Sequence, residues 1–399
     1  MKEGRFIFAS LLVTCFLAAF VPDSLIKTAF NQAEQQTKLM LNELAAAKAA
    51  DSKVALVSPR TLNEAGALQL VPARDWTSGF FPGELWYLYE YTGRGAWADQ
   101  ARRFTANLER EKLNTGTHDM GFKLYCSYGN GYRLTGDKAY QEIIVQGARS
   151  LIKRFKPTAG IIRSWDHHKE VWQCPVIIDN MMNLELLFAA TRLTGDSTFY
   201  KIAVTHAKTT IQNHYRPDHS SYHVVDYDTL TGKVLKKNTH QGFSDESAWA
   251  RGQAWGLYGY TMCYRETNDP QFLKQAEAIA RYMLNHPHMP ADLVPYYDFD
   301  APNIPNEPRD VSAAAIMASA LYELSTYSSS SQYRARADQV IRSLVQQYRS
   351  PVGQHHGFLL LHSTGSKTSE IDVPLIYADY YFLEALLRSK KLNEKKPLF

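Results

Sequence analysis

The segment Leu134-Thr135-Gly136-Asp137-Lys138-Ala139-Tyr140 ends one helix and starts another within a single short turn. A glycine just past a helix stops it in a left-handed cap, an Asp then caps the helix that follows, and an aromatic packs the corner. The same turn recurs as Tyr91-Thr92-Gly93, Leu193-Thr194-Gly195-Asp196, Glu266-Thr267-Asn268-Asp269 and, in degenerate form, Ser325-Thr326. Trp97, Tyr140, Phe199, Phe272 and Tyr333 follow these turns and open amphipathic stretches such as Tyr140 to Phe155 and Phe272 to Leu284. The repeating unit is a helical hairpin.

The intervals between Thr92, Thr135, Thr194, Thr267 and Thr326 are unequal and longer than a tetratricopeptide period of about 34 residues, which disfavours a plain solenoid. Long connections such as Asn213 to Glu246, with Asp226-Tyr227-Asp228 and Thr231-Gly232 inside it, look like functional loops on a helical scaffold. A sixth pair can be assembled from terminal helices near Ala29 to Asp51 and Pro374 to Leu387. The expected fold is all-α, an (α/α)6 toroid. No low-complexity tract or Pro/Gly-rich linker divides the chain, so residues 25–399 are expected to form one domain.

Composition agrees with a folded protein: of 399 residues, 45% are hydrophobic and 21% charged, which excludes disordered and collagen-like classes. A net charge of +4 is too near balance to mark a nucleic-acid binder. Lys2 and Arg5 precede an apolar run from Phe6 to Phe20, shorter than the ~20 helical residues that span a bilayer. This predicts a secretory signal over residues 1–24, with small residues for cleavage at Ala18-Ala19 and Ser24, and no stable membrane span in the mature chain. Removing it removes Cys15 and leaves Cys126, Cys174 and Cys263, expected as buried free thiols. The chain is then exported, to a periplasm-like space, without disulfides.

Several segments could carry chemistry. Trp76, in Asp75-Trp76-Thr77-Ser78-Gly79-Phe80, is either a corner anchor or a platform for a sugar ring. Asp119, in His118-Asp119-Met120-Gly121-Phe122, is either an N-cap or the partner of a second carboxylate. That second carboxylate is Asp179, in Pro175-Val176-Ile177-Ile178-Asp179-Asn180-Met181-Met182-Asn183. Pro175 suits a first helical position, and the apolar surroundings suggest a buried helix. A buried acid there would hold its proton above the usual carboxylate range and could donate it near neutral pH; satisfying the helix dipole is the alternative, and Glu185 is a competitor. In Trp249-Ala250-Arg251-Gly252-Gln253-Ala254-Trp255, Arg251 and Trp255 share a helical face, as a core pair or as a stacking ring beside a carboxylate-binding fork. His167-His168, His286-Pro287-His288 and His355-His356 lack a third ligand at metal spacing, so no metal is expected. No Gly-rich phosphate loop or nucleophile elbow is present in the sequence.

Together these four ordered motifs, over roughly residues 70–385, resemble the unsaturated glucuronyl hydrolases of glycoside hydrolase family 88. The resemblance implies an (α/α)6 barrel without cofactor, acting on oligosaccharides that end in a 4,5-unsaturated uronate. It implies Asp179 as general acid and base, Asp119 as its partner, and Trp76, His118, Trp165, His223, Gln241, Arg251 and Trp255 as the binding shell. It also implies hydration of the C4=C5 bond rather than displacement at the anomeric carbon, so carboxylate spacings of ordinary glycosidases need not apply. An unsaturated rhamnogalacturonyl hydrolase and a non-catalytic acidic-glycan-binding protein are the alternatives. Ser363, Ser366 and Lys367 could meet a sulfate or carboxylate, or form a capped surface loop.

Overall fold

The computed structural model describes residues 20–50 and 56–399; the expected leader up to residue 19, with Cys15, and Asp51 lie outside the described residues. Helix α1 (Asp23–Ala50) is followed by the hairpin β1 (Leu56–Leu62) and β2 (Leu68–Pro72), a 3-10 turn at Trp76–Gly79, and helices α2 (Phe80–Thr92) and α3 (Gly95–Ala106). A π-helical stretch, Gly121–Gly129, runs straight into α4 (Asn130–Thr135), and α5 (Lys138–Ile152) returns. After a short ladder of β3 (Phe155–Lys156) and β4 (Ile161–Ile162), β5 (Pro175–Ile177) leads into α6 (Asn180–Thr194) and α7 (Ser197–His214). Strands β6 (Val224–Tyr227) and β7 (Val234–Asn238) join β5 in a three-stranded antiparallel sheet. Helices α8 (Ala250–Thr267), α9 (Pro270–Asn285), α10 (Val311–Leu324), α11 (Gln332–Gln347) and α12 (Ile376–Asn393) complete the chain.

The helices pair as α2 with α3, the π stretch and α4 with α5, α6 with α7, α8 with α9, α10 with α11, and α12 with α1. The first member of each pair packs on the first member of the next, and α12 packs on α2, so the ring closes as an (α/α)6 barrel. Inner helices such as α10 and α12 are buried on nearly every side, whereas the outer α5 and α9 bury one stripe. The terminal pair that closes the ring is the one expected from both chain ends.

The recurrent turn works as its residues dictate. Gly93, Gly136, Gly195 and Asn268 all take left-handed conformations. Asp137, Asp196 and Asp269 each accept an amide of the helix that follows. The Thr hydroxyls donate back to the preceding turn and accept the amide two residues on, as Thr135 does from Asp137 at 3.3 Å. Cys126, Cys174 and Cys263 are buried free thiols.

One local expectation is corrected. Pro175 opens a strand instead of a helix: its carbonyl accepts the amide of Ser164, Val176 pairs with Val225, and the amide of Ile178 donates to His223, so the chain stays extended until Asp179. At the other end, packing begins ahead of Ser24. Val21 is fully buried and donates its amide to Asp338, while Asn393 bonds both Val21 and Asp23. Among the described residues no helix is long and apolar enough to cross a membrane.

Candidate active site

Every inner helix begins at the same mouth of the barrel, and the chemistry-bearing motifs sit at those beginnings. Trp76 precedes α2, Asp119 precedes the π stretch, Asp179 is the residue before α6, and Arg251 lies in the first turn of α8. Asp310 and Tyr377, which the sequence reading did not single out, start α10 and α12. Glycines let these starts approach. A Cβ on Gly121 would stand 2.6 Å from the Cα of Asn183, and one on Gly79 would stand 2.2 Å from the carbonyl oxygen of Phe122. The amide of Phe122 then donates to Asn183 Oδ1 at 3.0 Å, which ties the Asp119 segment to the helix of Asp179.

Asp179 is 6% exposed, and its Oδ2 is buried without a hydrogen-bond partner among the described residues. Burial pushes its carboxyl up to about 6; His118 and Arg251 oppose that rise and Asp119 adds to it. Asp119 is held below the ordinary carboxylate range: burial would raise it, but His118, Thr117 and Lys123 together outweigh burial. Its oxygens accept from Thr117 Oγ1 at 2.6 Å and lie 3.2 Å from His118 Nε2, so it caps no helix amide. The environments of the two carboxyls separate an acid from an anion.

The imidazoles are fixed by what their other nitrogens do. His223 Nδ1 accepts the amides of His240 and Gln241, each at 3.1 Å, which leaves the proton on Nε2, 3.7 Å from Asp179 Oδ2. Burial, with His240 and Arg251 nearby, keeps this ring neutral. Ser164 Oγ accepts the amide of Ile177 and lies 3.3 Å from His118 Nδ1, which turns Nε2 of that ring toward Asp119.

Arg251 differs from its expected arrangement. It is 1% exposed, and its guanidinium already binds Asp310 at 2.7 Å and the carbonyls of Thr364 and Gly365 at 2.6 and 2.5 Å. It stacks 4.6 Å over Trp249, not over Trp255, and only its Nε is left without a partner. Trp255 is fully buried, 5.1 Å from Phe122 and 5.4 Å from Tyr381. Gln241 Nε2 donates to Gly365 at 2.9 Å and its carbonyl accepts from Lys367, so the Gln241 loop and the Ser363–Lys367 loop clasp each other. Trp76 is half-buried, tilted 4.9 Å from Tyr377 and 5.5 Å from Phe122. Trp165 lies 8% exposed with Nε1 unpartnered.

Ser363 Oγ is buried and unpartnered, Ser366 bonds Ser369, and the exposed Lys367 reaches the carbonyl of Phe243 at 3.2 Å. Glu185 is removed from the candidates: it pairs with Arg265 in a separate cavity with Glu266 and Arg388. The unpartnered buried atoms of Asp179, Asn183, Trp249, Gln253, Arg251 and Tyr377 belong to the mouth-facing starts of the inner helices, and that of His223 to the residue before β6. Unsatisfied buried polar groups are costly, so their gathering around a titratable acid marks a site shaped for a polar ligand.

A helical barrel with a raised carboxyl among indoles and imidazoles at its mouth is the architecture of a carbohydrate-cleaving enzyme. Residues 52–384 match the model of Glycosyl Hydrolase Family 88, and the chain belongs to that family of glycoside hydrolases. It is 50% identical over 339 residues, 84% of this chain and 85% of the other, to an unsaturated glucuronyl hydrolase of Formosa agariphila. It is 34% identical to an unsaturated chondroitin disaccharide hydrolase of Streptococcus pneumoniae, over 79% of this chain and 82% of the other. Among solved structures it is similar to an unsaturated glucuronyl hydrolase specific for heparin, with a TM-score of 0.88, 48% identity, and coverage of 94% of this chain and 99% of that one.

Proposed function

We propose that this enzyme releases the 4,5-unsaturated uronic acid from the non-reducing end of glycosaminoglycan fragments produced by polysaccharide lyases. The observation that carries the reading is Asp179, whose carboxyl is raised to about 6 by burial, beside an ionised Asp119 and a neutral His223. The relatives named for unsaturated glucuronyl and chondroitin disaccharide substrates support it.

Protonated Asp179 gives its proton to C4 of the sugar, and the positive charge that develops at C5 is shared with the ring oxygen. Water adds at C5 and loses a proton to the Asp179 carboxylate, which restores the acid. The hemiketal opens to a ketone, and the hemiacetal left at C1 collapses to an aldehyde and the free glycan. One water is consumed and no covalent enzyme intermediate forms. Burial keeps Asp179 protonated, Asp119 adds to that as a fixed anion, and His118 orients Asp119. Trp76, Trp165, His223 and Gln241 bound the sugar, while Arg251 and Trp255 shape the wall. Ser363 and Lys367 favour a sulfated substrate.

The test is loss of the near-ultraviolet absorbance of the unsaturated uronate with lyase-generated disaccharides. Asp179→Asn is expected to slow the loss by at least about a hundredfold, the low end of general acid–base contributions. A folded Asp179→Asn protein that keeps the wild-type rate overturns the mechanism. Turnover of only rhamnose-linked substrates moves the assignment to a rhamnogalacturonyl hydrolase, and binding without absorbance loss to a glycan-binding protein. Export to the periplasm is also proposed, from Lys2, Arg5 and the apolar run that follows. Cleavage near Ala18-Ala19 preserves the contacts of Val21, so terminal sequencing of periplasmic protein is expected to begin at or before that residue.

A further inference from the structure

Outside the catalytic mouth, the connection from β4 to β5 and the strands β6 and β7 form an open cleft of about 660 Å³. Its floor is Trp172, and its walls carry Lys169, Arg163 and Lys236 around the side chains of Val171 and Leu235. Val171 and Leu235 are, among the described residues, two of the few large apolar side chains that are exposed, at 41% and 51%. An apolar strip between ammonium groups is the complement of an anionic sugar, whose ring face is C–H and whose edges carry carboxylate or sulfate.

A chain of ring contacts links the cleft to the site. In the sheet, Ile177, Val224, Asp226, Lys236 and Asn238 share one face, and Ile177 and Val224 pack with Trp165 and Trp172 on it. From His223 the ring of His240 lies 6.3 Å away, and from His240 the rings of Trp172 and Trp165 lie 5.8 and 5.6 Å away. His168 continues the platform 6.0 Å from both His240 and Trp172. The acids nearby are largely engaged: Asp226 accepts the amides of Gln173 and Cys174, Asp166 binds Arg154 and Arg163, and Glu170 faces His168. Lys236 also donates to the carbonyl of Val171. Lys169 lines the cleft, makes no hydrogen bond or ion pair among the described residues, and acts on Asp166 only through its field.

We infer that the Trp172 cleft is an outer subsite for the anionic sugar units beyond the scissile linkage, with Lys169 and Lys236 as specificity-determining cations. This rests on the activity proposed above and extends it from disaccharides to longer fragments. A substrate held in the Asp179 pocket by its unsaturated end would run its reducing end over His240 and His168 and lay its next acidic unit on Val171, Trp172 and Leu235.

Lyase-generated unsaturated disaccharides from heparin and chondroitin sulfate are compared with the matching tetrasaccharides on wild type and on Lys169→Gln/Lys236→Gln. Wild type is expected to show a lower KM for the tetrasaccharide of whichever glycan it turns over. The double variant is expected to raise that KM about five- to tenfold, and to weaken its salt dependence, while leaving disaccharide kinetics unchanged. Equal wild-type KM values for the two lengths, or an unchanged length preference in the variant, overturn the subsite. Absence of turnover with every disaccharide and tetrasaccharide overturns the proposed activity and the subsite with it.

Discussion

His223 Nε2 stands 3.7 Å from Asp179 Oδ2, while Nδ1 of the same ring is committed to the amides of His240 and Gln241. A neutral ring held in that tautomer offers Asp179 an N–H and no positive charge, so it does not pull the carboxyl back to its ordinary range. It can still bond the carboxylate formed once the proton has gone to the sugar. The imidazole thus serves both protonation states of one acid.

A pH dependence follows. Asp179 must be protonated to begin turnover, and its carboxyl lies at about 6. The rate kcat/KM is expected to be flat below that pH and to fall about tenfold per unit above it. Asp119→Asn removes a charge that raises Asp179, so the descending limb should move to lower pH. A limb that stays in place or moves upward would contradict the coupling.

Arg251 and Asp310, 1% and 0% exposed, form a buried ion pair that also anchors Thr364 and Gly365. Arg251→Met strands Asp310 and is expected to cost about 3–5 kcal/mol, read by denaturant unfolding. The double variant Arg251→Met/Asp310→Leu should cost less than the sum of the single ones, because neither charge is then left alone.

Gly121→Ala tests the approach of the two acid-bearing segments. The added methyl meets the backbone of Asn183, which cannot rotate away. A loss of about 1–3 kcal/mol is expected from overpacking, together with a fall in kcat as Asp119 shifts from Asp179. Wild-type kcat in this variant would show that the approach is not needed for turnover.

Glu84 on α2 and Asp379 on α12 are buried acids at the seam that closes the ring. Burial raises both. Glu84, which accepts the Thr37 hydroxyl, is pushed up to about 7, and Asp379 is raised well above the ordinary carboxylate range by burial and by Glu84, against the amides of Leu359 and Leu360. A raised folded-state value means stability is full below the unfolded value of 4.5 and is lost as pH rises through about 7. Glu84→Gln should flatten that loss in thermal unfolding between pH 5 and 8; an unchanged slope would place the proton elsewhere.

Much of this was legible because it is local. A Gly or Asn after a helix, an Asp at the next N-cap and an aromatic at the corner act within a few residues, so the turns at Thr92, Thr135, Thr194 and Thr267 could be read in advance. The raised carboxyl of Asp179 followed from the apolar residues around it. What was misread depended on partners far along the chain. Pro175 is extended because strand β6, some fifty residues further on, pairs with β5. Asp310 drew no notice in the sequence, although Asp-Val-Ser before an alanine-rich run is a capping signal that could have found it.

By itself, then, the sequence determined the helical hairpins, the order of the motifs and the identity of the buried acid, since periodicity, capping and local apolarity are short-range properties. Only the tertiary structure decided which groups remain free to act. Arg251 is spent on Asp310 and two loop carbonyls, Trp255 is sealed behind Phe122 and Tyr381, and His223 is left with a single N–H facing Asp179. The physical reason is that a polar group has few bonds to make, and ring closure, which brings six distant helix starts to one mouth, settles where they go.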